Sequence, residues 1–109
     1  MLNIVLSCLC HPLQCFNENG LFLWRYGRRH GVERLTHPRG LCFDSQGRLF
    51  VCDHGNRRIH IVSGQGIFIC HMSYDEVSMS PNLICFTPKG DMVLGDADGL
   101  VNIVQMRFH

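Results

Sequence analysis

Pro38-Arg39-Gly40-Leu41-Cys42-Phe43-Asp44-Ser45-Gln46-Gly47-Arg48-Leu49-Phe50-Val51-Cys52-Asp53 is answered 43 positions later by Pro81-Asn82-Leu83-Ile84-Cys85-Phe86-Thr87-Pro88-Lys89-Gly90-Asp91-Met92-Val93-Leu94-Gly95-Asp96. Pro38, Cys42, Phe43, Gly47 and Asp53 meet Pro81, Cys85, Phe86, Gly90 and Asp96 without a gap. A period of about 40–45 residues belongs to stacked or circular arrays, whose units cannot bury their apolar faces alone.

A weaker copy precedes these two. Aligning Gly20 with Gly66 sets Ile4-Val5-Leu6 on Phe50-Val51-Cys52, Leu13-Gln14-Cys15-Phe16 on Ile59-His60-Ile61-Val62, and Leu21-Phe22-Leu23 on Ile67-Phe68-Ile69. The chain therefore divides into residues 1–24, the back part of a first unit; residues 25–72, a loop and one complete unit; and residues 73–109, a last unit lacking its outer strand.

Within the complete unit, short apolar runs read as strands from Gly40 to Asp44, Arg48 to Asp53, Arg58 to Ser63 and Gly66 to Met72. Turn signals separate them, and connections this short join neighbouring strands antiparallel. Leu41-Cys42-Phe43 and Leu49-Phe50-Val51-Cys52 are continuously apolar, as strands covered on both faces are. Arg58-Ile59-His60-Ile61-Val62 alternates, which reads as a strand with one wet face. Four-stranded sheets covered by copies of themselves, wetter toward the outside, describe β-propeller blades. The expected fold is all-β: a partial propeller of about two and a half four-stranded antiparallel blades.

Pro38-Arg39-Gly40-Leu41, the turn glycine Gly47, the strand ending in Asp53, and Asn56-Arg57-Arg58-Ile59 resemble the NHL repeat. The third copy departs from that pattern, with Asn82-Leu83 in place of Arg-Gly and Asp96-Ala97-Asp98-Gly99 in place of the Asn-x-Arg turn. The resemblance implies a six-bladed ring, with this chain as its C-terminal portion, as in tripartite-motif proteins. It also implies a non-catalytic scaffold for protein–protein interaction, with ubiquitination substrates as the expected partners. Single-stranded RNA binding is the alternative that the resemblance carries. No RING module is present in these residues, and the lyases of similar propellers are expected to be metal-dependent and secreted.

Net charge is only +1, but its distribution is uneven. Arg25, Arg28, Arg29, Arg34, Arg39, Arg48, Arg57 and Arg58 crowd the middle of the chain, whereas Asp75, Glu76, Asp91, Asp96 and Asp98 follow. In a four-stranded meander, residues 25–39 and Asp53 to Arg58 emerge at the same end. Topology therefore gathers Arg28, Arg29, His30, Arg34, Arg39, His54 and Arg57 on one rim, as candidates for contact with a protein or RNA. Arginine offers forked donors to carboxylate and phosphate, and histidine or tyrosine can stack on bases. Asp53, Asn56 and Arg58 are assigned to the structure of the turn.

Seven cysteines, several inside apolar runs, read as buried thiols and favour a reducing compartment, the cytoplasm. Cys8, Cys10, His11 and Cys15 have metal-ligand chemistry but lack paired Cys-x-x-Cys elements, so no metal or other cofactor is expected. Asp96-Ala97-Asp98-Gly99 reads as a turn rather than a calcium loop. DNA and membrane partners are not expected, while open blade edges favour self-association.

Overall fold

The computed structural model describes residues 3–8, 11–27 and 34–105. Among the described residues, ten antiparallel strands form three sheets in chain order. The first holds β1 (Asn3–Cys8), β2 (His11–Asn17) and β3 (Phe22–Tyr26). The second holds β4 (Pro38–Phe43), β5 (Leu49–Asp53), β6 (Arg58–Val62) and β7 (Phe68–Ser73). The third holds β8 (Leu83–Phe86), β9 (Met92–Gly95) and β10 (Val101–Val104). This is the expected all-β propeller-type arrangement, with two short helical additions among the described residues, a 3-10 turn at His54–Asn56 and one turn of α-helix. A single helical turn, α1 (Tyr74–Val77), follows β7, and Ser73 and Glu76 close a capping box at its start.

Among the described residues, one turn is used five times. Asn17, Asp44, Ser63, Thr87 and Asp96 each open a reversal whose fourth residue is Gly20, Gly47, Gly66, Gly90 or Gly99. The opening side chain accepts a backbone N–H four residues on, as Asp44 Oδ1 does from Arg48 and Asp96 Oδ1 from Leu100. The glycine takes φ between 79° and 92°, a region that side-chain-bearing residues avoid. Short polar side chain and glycine together fix the hairpin, so the same spacing in sequence gives the same bend.

Strand β5 explains the continuous apolar run. Leu49 and Val51 pack toward the first sheet with Leu13, Tyr26 and Val62, whereas Phe50 and Cys52 pack toward the third with Ile59, Ile61, Ile84, Met92 and Leu94. Alternate side chains of one strand point to opposite faces, so a strand between two sheets must be apolar throughout. Strand β6 corrects the sequence reading, because neither of its faces is wet. His60 and Val62 are fully buried against the first sheet, and the polar imidazole is accommodated there by partners from both sheets.

The first sheet also corrects the alignment. Val5 pairs with Cys15, whereas Phe50 pairs with Ile61, so Val5 occupies the place of Phe50 rather than of Val51. The β1–β2 connection is one residue shorter, and a shift of one residue moves every side chain to the other face. Val5 accordingly packs toward the second sheet.

The sheets are joined by specific contacts as well as by apolar packing. Trp24 Nε1 donates to the Gly64 carbonyl at 3.0 Å, and the indole lies over Gly66. A Cβ on Gly40 would stand 2.4 Å from the Asn82 carbonyl oxygen, so β4 and β8 approach closely only because residue 40 has no side chain. The face of the third sheet turned away from the second exposes Leu83, Cys85, Val101 and Ile103.

Candidate functional site

The β5–β6 turn, the segment from Arg34 to Pro38 and the link from Ser73 to Asn82 converge on one rim. Asp53 organises it. Its Oδ1 accepts the backbone N–H groups of Thr36 and His37, each at 3.0 Å, and its Oδ2 accepts from Asn56 Nδ2 at 2.6 Å. Asn56 Nδ2 also donates to the Arg34 carbonyl at 3.1 Å, and His54 N–H donates to the His37 carbonyl at 3.0 Å. The incoming loop is thus tied to the turn by one carboxylate, one amide and a backbone bond. Burial pushes the Asp53 carboxyl up, but Asn56 and the two backbone donors, joined by the His60 ring once that ring is charged, together outweigh it and hold it below 3.8.

Behind Asp53 lies a residue that strand periodicity did not single out. His60 is fully buried, with Nδ1 3.0 Å from the Tyr26 hydroxyl and Nε2 3.1 Å from Arg58 Nε. A guanidinium N–H donates only, so Nε2 presents its lone pair and Nδ1 carries the proton, which it donates to Tyr26. Asp53 Oδ2 stands 3.5 Å from Nε2 and becomes an ion-pair partner when the ring is charged. Burial and the Arg58 charge nonetheless win over Asp53 and hold the imidazole below 6.5, in its neutral form. Arg58 also donates from a terminal nitrogen to the Arg34 carbonyl at 3.4 Å.

The outer surface of the rim carries Arg34, His37, Arg39 and Arg57, all exposed. His54 is half-buried beside Tyr74, with ring centroids 6.1 Å apart. Arg28, Arg29 and His30 lie outside the described residues, as does Cys10. Acidic groups share this rim: Asp75 and Glu76 are exposed on α1, and Asp98 is exposed in the β9–β10 turn. The sequence separated basic and acidic halves along the chain, but the topology brings parts of both to one end.

Among the described residues, no group of three or more histidine, cysteine, aspartate or glutamate side chains stands together as metal ligands would. Cys15 is buried in the first sheet, and burial raises its thiol. No helix among the described residues is long and apolar enough to cross a membrane.

Comparison with known proteins bears on residues 35–62, which match the family model of the NHL repeat. A stretch of 43 residues, 39% of the chain, is 44% identical to the B-box type zinc finger protein ncl-1 of Caenorhabditis elegans. That stretch is only 5% of the length of the worm protein. The fold is similar to that of virginiamycin B lyase from Staphylococcus aureus, with a TM-score of 0.57 at 16% identity. The likeness covers 90% of this chain and 35% of the lyase chain, and at that identity it speaks for the fold alone. The Asp53 turn and the Gly40 contact therefore both lie within residues 35–62, the stretch that matches the NHL repeat, set between two further sheets of a β-propeller-type array.

Proposed function

We propose that this chain is a non-catalytic recognition module whose rim engages a protein partner, with selection of ubiquitination substrates in a tripartite-motif-like parent as its role. One observation carries the choice of partner: Arg34, Arg39 and Arg57 share the rim with Asp75, Glu76 and Asp98. A surface of both signs complements another protein surface of both signs, whereas it sets carboxylates against a polyanion. The similarity to a B-box type zinc finger protein supports a parent of that kind, and the buried thiols support a reducing cytoplasm.

The three exposed arginines favour a second reading, single-stranded RNA held along the same rim. A photo-crosslinking residue placed at Thr36 on this rim, and at Gln65 on the opposite one, separates the two in cells. Protein adducts specific to Thr36 are expected. Adducts dominated by RNA, or equal yields from both positions, would remove the protein reading.

A further inference from the structure

The face of the third sheet turned away from the second repeats a face that is covered elsewhere in the molecule. Val101 pairs with Gly95 and Ile103 with Val93, as Ile59 pairs with Cys52 and Ile61 with Phe50 one repeat earlier. Ile59 and Ile61 are 0% and 2% exposed where the second sheet meets the third, whereas Val101 and Ile103 are 63% and 61% exposed. Leu83, at 66%, and the exposed Cys85 extend the same surface across β8. A contiguous apolar patch rimmed by polar turns marks a surface that another element covers.

The other end of the array carries the matching surface. Leu13, Trp24 and Tyr26 pack toward the second sheet, so Phe16 and Phe22, which pair with each other, lie on the face turned away from it. Their rings meet edge to face with centroids 5.9 Å apart, and Phe22 is 48% exposed. One repeat later Val62 and Phe68 pair in the same places and pack into the seam with the first sheet. Each end of the chain therefore presents one half of a seam that the middle repeat makes on both sides.

Leu83 decides which sheet fits. It stands 43 positions after Gly40, where an added Cβ would lie 2.4 Å from the Asn82 carbonyl oxygen. A sheet whose inner strand approached as β8 approaches β4 would strike the Leu83 side chain. Among the described residues the first sheet has no counterpart of β4, its strands β1, β2 and β3 answering β5, β6 and β7, and so it leaves room for Leu83. Charge agrees with this fit. Arg25 lies over the Phe22 ring at 5.4 Å, exposed near the rim end of β3, and Asp98 is exposed in the β9–β10 turn at the same rim.

We propose that the bare face of the third sheet is covered by the first sheet of a second copy of this chain, packed head to tail as successive sheets pack within the chain. The two surfaces that meet are unlike, so every copy offers one of each. The contact lies between sheet faces and stands whether or not the rim binds a protein.

The test is sedimentation velocity of the full chain from about 1 to 100 µM. A species heavier than the monomer is expected to grow with concentration. Ile103→Glu on one surface, or Phe22→Glu on the other, is expected to weaken association about tenfold or more. Mixing the two variants restores a one-to-one pair, because the third sheet of the Phe22→Glu chain and the first sheet of the Ile103→Glu chain are both unaltered. Ile67→Glu, which changes an exposed aliphatic residue after the β6–β7 turn, leaves association as it was. Alkylation of Cys85 slows as the chain is concentrated, while that of Cys70 does not. Circular dichroism checks that each variant folds. A monomer throughout, association untouched by Phe22→Glu, a mixture that stays monomeric, or an equal loss from Ile67→Glu overturns the proposal.

Discussion

Tyr26 and His60 meet across the seam between the first and second sheets, hydroxyl to imidazole Nδ1 at 3.0 Å, with both residues buried. Replacing Tyr26 with Phe keeps the ring and removes the partner of the buried Nδ1. The expected loss is about 1–3 kcal/mol, read by urea unfolding. Trp24, the chain's single tryptophan, stacks on Gly66 at the same seam, so its fluorescence reports whether these two sheets part first.

His60 also sets a pH dependence. Its folded-state value lies below the ordinary 6.5, so between the two the unfolded chain binds more protons than the folded one. Stability is therefore full above pH 6.5 and falls as the pH drops through the interval below it. Unfolding midpoints measured from pH 7.5 to 5 are expected to decline, and His60→Gln to flatten the decline. A midpoint that rose on acidification would contradict the neutral assignment.

Asp53 acts in a lower window with the same sign. Its carboxyl is held below 3.8, so its contribution is complete above that value and is lost as the pH falls further. Asp53→Ala strips the partner from two backbone donors and from Asn56, and is expected to cost about 3–5 kcal/mol. Asp53→Asn keeps an acceptor for one side of the cluster and is expected to cost less. Calorimetry on both variants orders the two effects.

Gly40→Ala tests the closeness of the second and third sheets. The added methyl group meets backbone atoms, the Asn82 carbonyl oxygen and the Leu83 Cα, which cannot turn aside as a side-chain tip would. A loss of about 2–3 kcal/mol is expected, whereas Gly47→Ala adds no clash and strains only its turn. Chemical denaturation of the two variants separates overpacking from backbone strain.

Thiol accessibility should divide the cysteines. Burial pushes the Cys52 thiol up to about 12 and also raises Cys15, while Cys70 and Cys85 are exposed. Native alkylation followed by mass spectrometry is expected to label Cys70 and Cys85 and to reach Cys15 and Cys52 only in denaturant. Rapid native labelling of Cys52 would mean that the second and third sheets separate readily.

The strands of the middle repeat were legible because the turn residues recur at a fixed spacing. Each apolar run expected between Gly40 and Met72 corresponds to a strand within two residues at either end. His60 was not legible, because alternation reports the polarity of a side chain and not what meets it. Tyr26, 34 residues earlier, is what buries the imidazole, and no local pattern connects the two. The displacement of Val5 was hidden for a similar reason, since the shared glycines fix one end of an alignment and say nothing of a shorter connection further along. The rim was partly legible: topology brought Arg34, Arg39, His54 and Arg57 together. The acids of α1 joined them through a helical turn too short for any periodicity to show.

A strand whose odd residues serve one neighbour and whose even residues serve the other has no independent existence. With β5 divided in this way, the middle repeat gains most of its burial only when both flanking repeats are in place, so order propagates between repeats rather than arising within each. Substitutions at Leu49 and at Phe50, adjacent in the chain, would loosen opposite seams, one toward the first sheet and the other toward the third.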